Sequence, residues 1–139
     1  MKFSVHIGVS AALAALFYPL FSASSFLIMI GGIFPDVDHY LHFVFVKRRF
    51  NPFECNKYYS QGGDEKNYRE FDGVLMIFHT VEFLVLMIIL SFYSNLFFIF
   101  TIGLAVHYLL DAILFIFVIK RFVLNHSILL WLAKQIQKA

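Results

Sequence analysis

Two long stretches of the chain contain no lysine or arginine: Phe3 through Val46, and Glu70 through Ile119. Inside them lie apolar runs of membrane dimensions. Phe3 to Leu20 gives 18 residues, Gly73 to Tyr93 gives 21 and Leu96 to Ile119 gives 24, while Ser25 to Phe34 is a shorter run of 10. A hydrocarbon core of about 30 Å takes roughly 20 helical residues. Of the 139 residues, 60% are hydrophobic and only 14% charged, against about 25% charged in an ordinary soluble domain. Such a chain can bury a core but cannot cover it with a wetted surface. The expectation is a single all-α domain over residues 1–139, an integral membrane bundle of about four membrane segments with lipid on its apolar exterior.

Taken in order, Phe3 to Leu20 is the first segment. It also resembles a signal peptide, with Lys2, an apolar run and the small-residue tract Ser22-Ala23-Ser24-Ser25; His6 inside the run and the single preceding base count against that reading. Gly31, Gly32 and Pro35 break the second, short segment. A new helix is expected from Asp36 to Lys47, with Pro35 and Asp36 suiting a helix start. Residues 48–72 read as a water-exposed cytoplasmic loop, free to cap a site or meet a partner. Ser94-Asn95 is a tight turn. Residues 122–139, with Trp131, read as an amphipathic helix at the interface. The lone Cys55 excludes an intrachain disulfide. A net charge of +2 with bases grouped in loops gives no nucleic-acid footprint. The basic 47–69 segment and the tail from 120 lie two spans apart, so they share one side, which the positive-inside rule makes cytoplasmic.

Into these apolar segments the sequence places four acids, Asp36, Asp38, Glu82 and Asp111, and the histidines His6, His39, His79 and His107. A carboxylate at the bilayer centre costs about 2.5–3.5 kcal/mol even on a lenient scale. Glu82 and Asp111 have no base within their spans, so they must be protonated, paired with histidine or bound to a cation. His79/Glu82 at i,i+3 and His107/Asp111 at i,i+4 are each expected to share a helix face. Counted from the segment ends, all four segments carry their polar groups in the same half of the membrane. Convergence on one metal site follows, with donors enough for two ions. Nitrogen and oxygen donors without thiolate suit zinc, iron or manganese. Simple helix–helix hydrogen bonding is the plainer alternative. His42 is expected at the surface and His126 apart from the site. Gly31-Gly32 marks either a break or a close helix approach.

Pro35-Asp36-Val37-Asp38-His39, Phe78-His79-Thr80-Val81-Glu82 and His107-Tyr108-Leu109-Leu110-Asp111, with a histidine near the N-terminus, resemble the LexA-binding, inner-membrane-associated metal-dependent hydrolase family, distantly similar to zinc-dependent phospholipase C. The motifs span residues 6 to 111. Met76 to Glu82 departs from the family pattern in lacking an Arg and a Ser. The resemblance implies His6, Asp36, His39, His79, His107 and Asp111 as ligands of one or two divalent ions, with Asp38 and Glu82 as ligands or catalytic base.

The expectation is therefore a hydrolase of the inner or plasma membrane, its site toward the cytoplasmic face. Metal-activated water, oriented by Asp38 or Glu82, would attack a phosphoester such as a phospholipid headgroup. The alternatives are a non-hydrolytic membrane metalloprotein, in metal transport or di-iron redox chemistry, and a structural membrane adaptor.

Overall fold

A computed structural model describes residues 3–66, 68–120 and 126–137. The chain is all-helical, with no β-strand among the described residues. The helices are α1 (Phe3–Phe21), α2 (Phe26–Ile33), α3 (Asp36–Lys47), α4 (Pro52–Gln61), α5 (Val81–Ser91), α6 (Asn95–Ile113) and α7 (Ile128–Ile136). A π-helical stretch, Leu114–Ile119, extends α6. Of the amphipathic tail expected over 122–139, α7 covers the middle, while residues 122–125, 138 and 139 lie outside the described residues.

Two helical hairpins form the core. Ser22, with φ of 50°, opens a short 3-10 turn that reverses the chain between α1 and α2. Phe92 to Ser94 reverses it between α5 and α6, where the Ser94 hydroxyl accepts the Leu96 amide proton. The hairpins pack through α2, which lies against both α1 and α6. Glycine makes that approach possible. A Cβ on Gly31 would fall onto the Phe100 carbonyl, and one on Gly103 onto the Ile28 carbonyl. Gly32 meets Ser10 of α1 in the same way. Gly31-Gly32 is thus a close helix approach. Ala14, Ile28 and Ile99 fill the space between the hairpins.

Pro35 kinks the path from α2 into α3 without reversing it, since Phe34 and Pro35 both keep right-handed helical backbone. α3 stops at Arg48, which adopts φ of 56°. The region expected as a loop, 48–72, contains α4. Asn51 caps it by accepting the Phe53 amide proton, Pro52 occupies its first turn and Gly62 ends it at φ of 87°. These are ordinary start and stop signals. Phe43, Tyr58, Phe71, Met76 and Phe115 bind α3, α4 and the end of α6 into a second apolar cluster.

Two helical stretches are long and apolar enough to cross a membrane, Phe3–Ile33 and Asn95–Phe117. The first is bent double at Ser22, so α1 alone, at 19 residues or about 28 Å, has the span length. α2 with 8 residues and α5 with 11 reach only about 12 and 16 Å. The expected continuous span from Gly73 to Tyr93 is not helical before Ile77. A 3-10 turn covers Ile77–His79, Thr80 is extended, and α5 begins at Val81.

Candidate metal centre

The open ends of both hairpins meet opposite their turns, and the polar residues gather there. His6 comes from α1, His79 from the 3-10 turn before α5, and His107 and Asp111 from one face of α6. His107 is fully buried, and its Nδ1 lies 2.8 Å from the Gly32 carbonyl oxygen. A carbonyl only accepts, so Nδ1 carries a proton, and with the ring neutral Nε2 would present a lone pair. That nitrogen faces His79 Nε2 at 3.2 Å and Asp111 Oδ2 at 3.3 Å. Asp111 Oδ1 lies 3.3 Å from His6 Nε2, and Asp111 Oδ2 lies 3.6 Å from His79 Nε2. The His6 and His107 rings stack at 4.0 Å.

Four donor pairs among His6, His79, His107 and Asp111 therefore lie 3.2–3.6 Å apart, with His6 against one oxygen of the Asp111 carboxylate and His79 and His107 against the other. Bonds of about 2.0–2.1 Å to a tetrahedral ion put neighbouring donors about 3.3 Å apart. One shared proton relieves a single pair of such donors, whereas a divalent cation could satisfy three at once. His6, His107 and Asp111 form one triad able to hold an ion, and Asp36, His79 and His107 a second, each with donor atoms within 4.8 Å of one another. Three buried atoms at the centre, His6 Nδ1, His79 Nδ1 and Asp36 Oδ2, lack a hydrogen-bond partner among the described residues.

The remaining expected residues fall into three places. His39 sits at the rim, its Nε2 4.0 Å from Asp36 Oδ1 and its ring against His79 and Tyr59. Burial, reinforced by His79, holds its pKa well below the usual histidine range, and burial raises the Asp36 carboxyl. His39 is thus neutral and its lone pair available. Asp38 stands behind His79, with Oδ2 3.6 Å from His79 Nδ1, and accepts the Phe78 amide proton. The carboxylate thus pins the 77–79 turn through the Phe78 amide and sets a negative charge behind the His79 ring without a hydrogen bond to Nδ1.

Glu82 does not join the cluster, contrary to the sequence expectation. Its carboxylate accepts from the Ser127 hydroxyl at 2.6 Å and from the Ile128 and Leu129 amides at 3.1 and 3.2 Å. It caps the N-terminus of α7. The i,i+3 reading assumed one helix through His79 and Glu82, and the extended Thr80 between them turns the two side chains apart.

Three contributors were not anticipated. The Gly32 carbonyl fixes the His107 tautomer. The Tyr108 hydroxyl lies 3.0 Å from the Phe78 oxygen and 2.7 Å from the Thr80 oxygen, bracing the turn that carries His79. His126, expected to be unrelated, lines a cavity of about 160 Å³ with His79, Tyr108 and Asp111. Tyr108 sits one residue after His107, the one hint of its role in the sequence. His42 is elsewhere, its Nδ1 2.5 Å from the Tyr59 hydroxyl.

On the other side, a cavity of about 410 Å³ reaches Asp36 and His39 from outside, under the roof formed by α4. Compared with known proteins, the chain matches no family model, no curated protein and no solved structure.

Proposed function

We propose that the chain is a membrane-embedded, metal-dependent hydrolase that cleaves a phosphoester near the cytoplasmic face. The convergence of His6, His79, His107 and Asp111 at tetrahedral-edge spacing carries this reading. The donor set, imidazole and carboxylate without thiolate, suits zinc, with iron and manganese as alternatives. The chemistry a divalent ion supplies in such a site is Lewis-acid activation of water and of a phosphoryl oxygen.

The chain's own residues supply the rest. His107 is locked in its ligating tautomer by Gly32. Asp38 holds the turn that carries His79 through the Phe78 amide. Asp36, with Oδ2 unpartnered and its side chain lining the outer cavity, takes the proton of the attacking water. Water oxygen bonds to phosphorus, the ester P–O bond breaks, and the departing alkoxide takes the proton held by Asp36 and leaves toward the cavity as the alcohol. Asp36 thus replaces Asp38 and Glu82 as the base.

The membrane reading rests on exposure. Of an 18-residue apolar window in each stretch, only 17% in the first and 33% in the second is buried within the fold. Leu16 and Leu20 on α1 are 69% and 74% exposed, and Phe117 is 71% exposed. Contiguous apolar faces of this kind require lipid, not water. α1 packs on α2 and supplies His6, which favours a retained span over a signal peptide. α2 and α5 then enter the bilayer without crossing it alone. Lys47, Arg48, Arg49 and Lys57 lie beyond the site end of the bundle, which the positive-inside rule orients to the cytoplasm.

The test is metal analysis of the purified protein with an assay on bis(p-nitrophenyl) phosphate. The expected result is bound divalent metal and metal-dependent turnover, both lost in a His107→Ala/Asp111→Ala variant. Metal without turnover on any phosphoester would leave a non-hydrolytic metalloprotein. Absence of metal would leave a structural adaptor.

A further inference from the structure

The outer cavity is built unevenly. Its walls are apolar, from Phe3, Ile33, Val37, Tyr40, Pro52 and Tyr59, and its floor is polar, from Asp36 and His39. At that floor, Asp36 Oδ2 and His39 Nδ1 are buried without hydrogen-bond partners among the described residues. Asp36 also belongs to one of the two donor triads, so the cavity opens onto the metal centre. Among the described residues no lysine or arginine lines it. A fully hydrated anion gains nothing from such walls, and a purely apolar ligand would leave the floor unsatisfied.

The surroundings indicate the direction of entry. Val37, Leu41 and Phe45 recur at i, i+4 and i+8 on α3 and are all exposed. Phe50 and Phe53, also exposed, continue this apolar edge at the start of α4. A stripe of that spacing on one helix face beside the mouth suits contact with acyl chains. The mouth therefore opens toward lipid.

We propose that this cavity binds the single apolar chain of an amphiphile, with its phosphoryl end group reaching past Asp36 and His39 to the ion that the adjoining Asp36, His79 and His107 triad would hold. Resting on the hydrolase reading, the substrate class is a single-chain lipid phosphoester whose scissile group sits at the inner end of the chain. An apolar chain along the walls offsets the cost of bringing the head group to a buried floor. It also selects by chain length, because a short alkyl ester leaves the walls wetted.

Cys55 makes this measurable. It is the chain's one cysteine and forms part of the cavity wall. The full-length protein in lipid nanodiscs is treated with N-ethylmaleimide in the presence of dodecyl phosphate, butyl phosphate or inorganic phosphate. At ten times its dissociation constant, dodecyl phosphate is expected to slow Cys55 modification about tenfold, while butyl phosphate and inorganic phosphate at the same concentration leave it unchanged. Val37→Trp, which fills the cavity from a partly exposed position, is expected to abolish the protection without altering metal content. A dodecyl phosphate carrying a mid-chain diazirine gives the same reading without the thiol. Adducts on Val37, Tyr40 or Tyr59 support the proposal. Adducts confined to the outer faces of α1 and α6, or equal protection by the butyl compound, overturn it. Protection by dodecyl phosphate in a protein that hydrolyses no phosphoester retains the cavity's role and rejects the hydrolase. Turnover indifferent to chain length does the reverse.

Discussion

At the scale of single residues, the account divides eight ionisable groups into three jobs. His6, His79, His107 and Asp111 are donors, Asp36 and His39 face the cavity, and Asp38 and Glu82 position other parts of the chain. Asp38→Asn keeps the shape but removes the charge behind His79. Metal affinity is expected to fall about 10–100-fold, as for other partners that orient a ligating histidine, read by competition with a chelator. Glu82→Gln is expected to leave metal content and turnover intact while increasing hydrogen exchange at Ile128 and Leu129; loss of metal would return Glu82 to the centre. The donors were legible because ionisable groups without a base in an apolar run demand a partner. Glu82 was misplaced because it answers the same description, and its partners, the amide protons of α7, are invisible to side-chain spacing. The Thr80 break was present as a helix N-cap, with its hydroxyl accepting from the Phe83 amide.

At the scale of elements, short helices and glycine contacts deliver the site. α2 ends within reach of His107 because Gly31 and Gly103 let backbone touch backbone. Gly103→Ala must displace the Ile28 carbonyl rather than a flexible side chain. A loss of about 1–3 kcal/mol or more is expected from such overpacking, seen as a lower melting temperature in detergent together with weaker metal binding. α4 was missed although Asn51, Pro52 and Gly62 mark its ends, since the polar composition of 48–72 outweighed them. Its junction with the following turn is held by Glu70. The Glu65 amide, the Tyr58 hydroxyl and Lys47 hold the Glu70 carboxyl below its ordinary pKa. A depressed carboxylate pKa stabilises the fold above the unfolded value and loses that contribution as pH falls through the folded one. Acidification below about pH 4 is therefore expected to loosen residues 62–71, measured by hydrogen exchange, and Glu70→Gln should remove the pH dependence.

At the scale of the whole molecule, composition announced helices and an apolar exterior, and the arrangement follows from where the hairpins turn. Both turns lie at one end and His6, His79, His107 and Asp111 gather at the other, with His79 carried by a 3-10 turn where a continuous helix over residues 73–93 was expected. The small-residue tract Ser22–Ser25 already separated the first two segments in the sequence, while the backbone that reverses the chain there, Ser22 in the left-handed region, was not legible. A Lys57→Cys substitution in a Cys55→Ser background tests orientation. A membrane-impermeant maleimide should label it only after the membrane is opened from the cytoplasmic side.

The central claim is that His6, His79, His107 and Asp111 hold one divalent ion. X-ray absorption at the zinc, iron and manganese edges of the purified protein tests it most directly. The account predicts a first shell of nitrogen and oxygen at about 2.0–2.1 Å, multiple scattering from three imidazoles, and loss of the signal in the His107→Ala/Asp111→Ala variant. A sulfur scatterer, a signal unchanged by that double substitution, or no bound metal after metal-supplemented expression would contradict it.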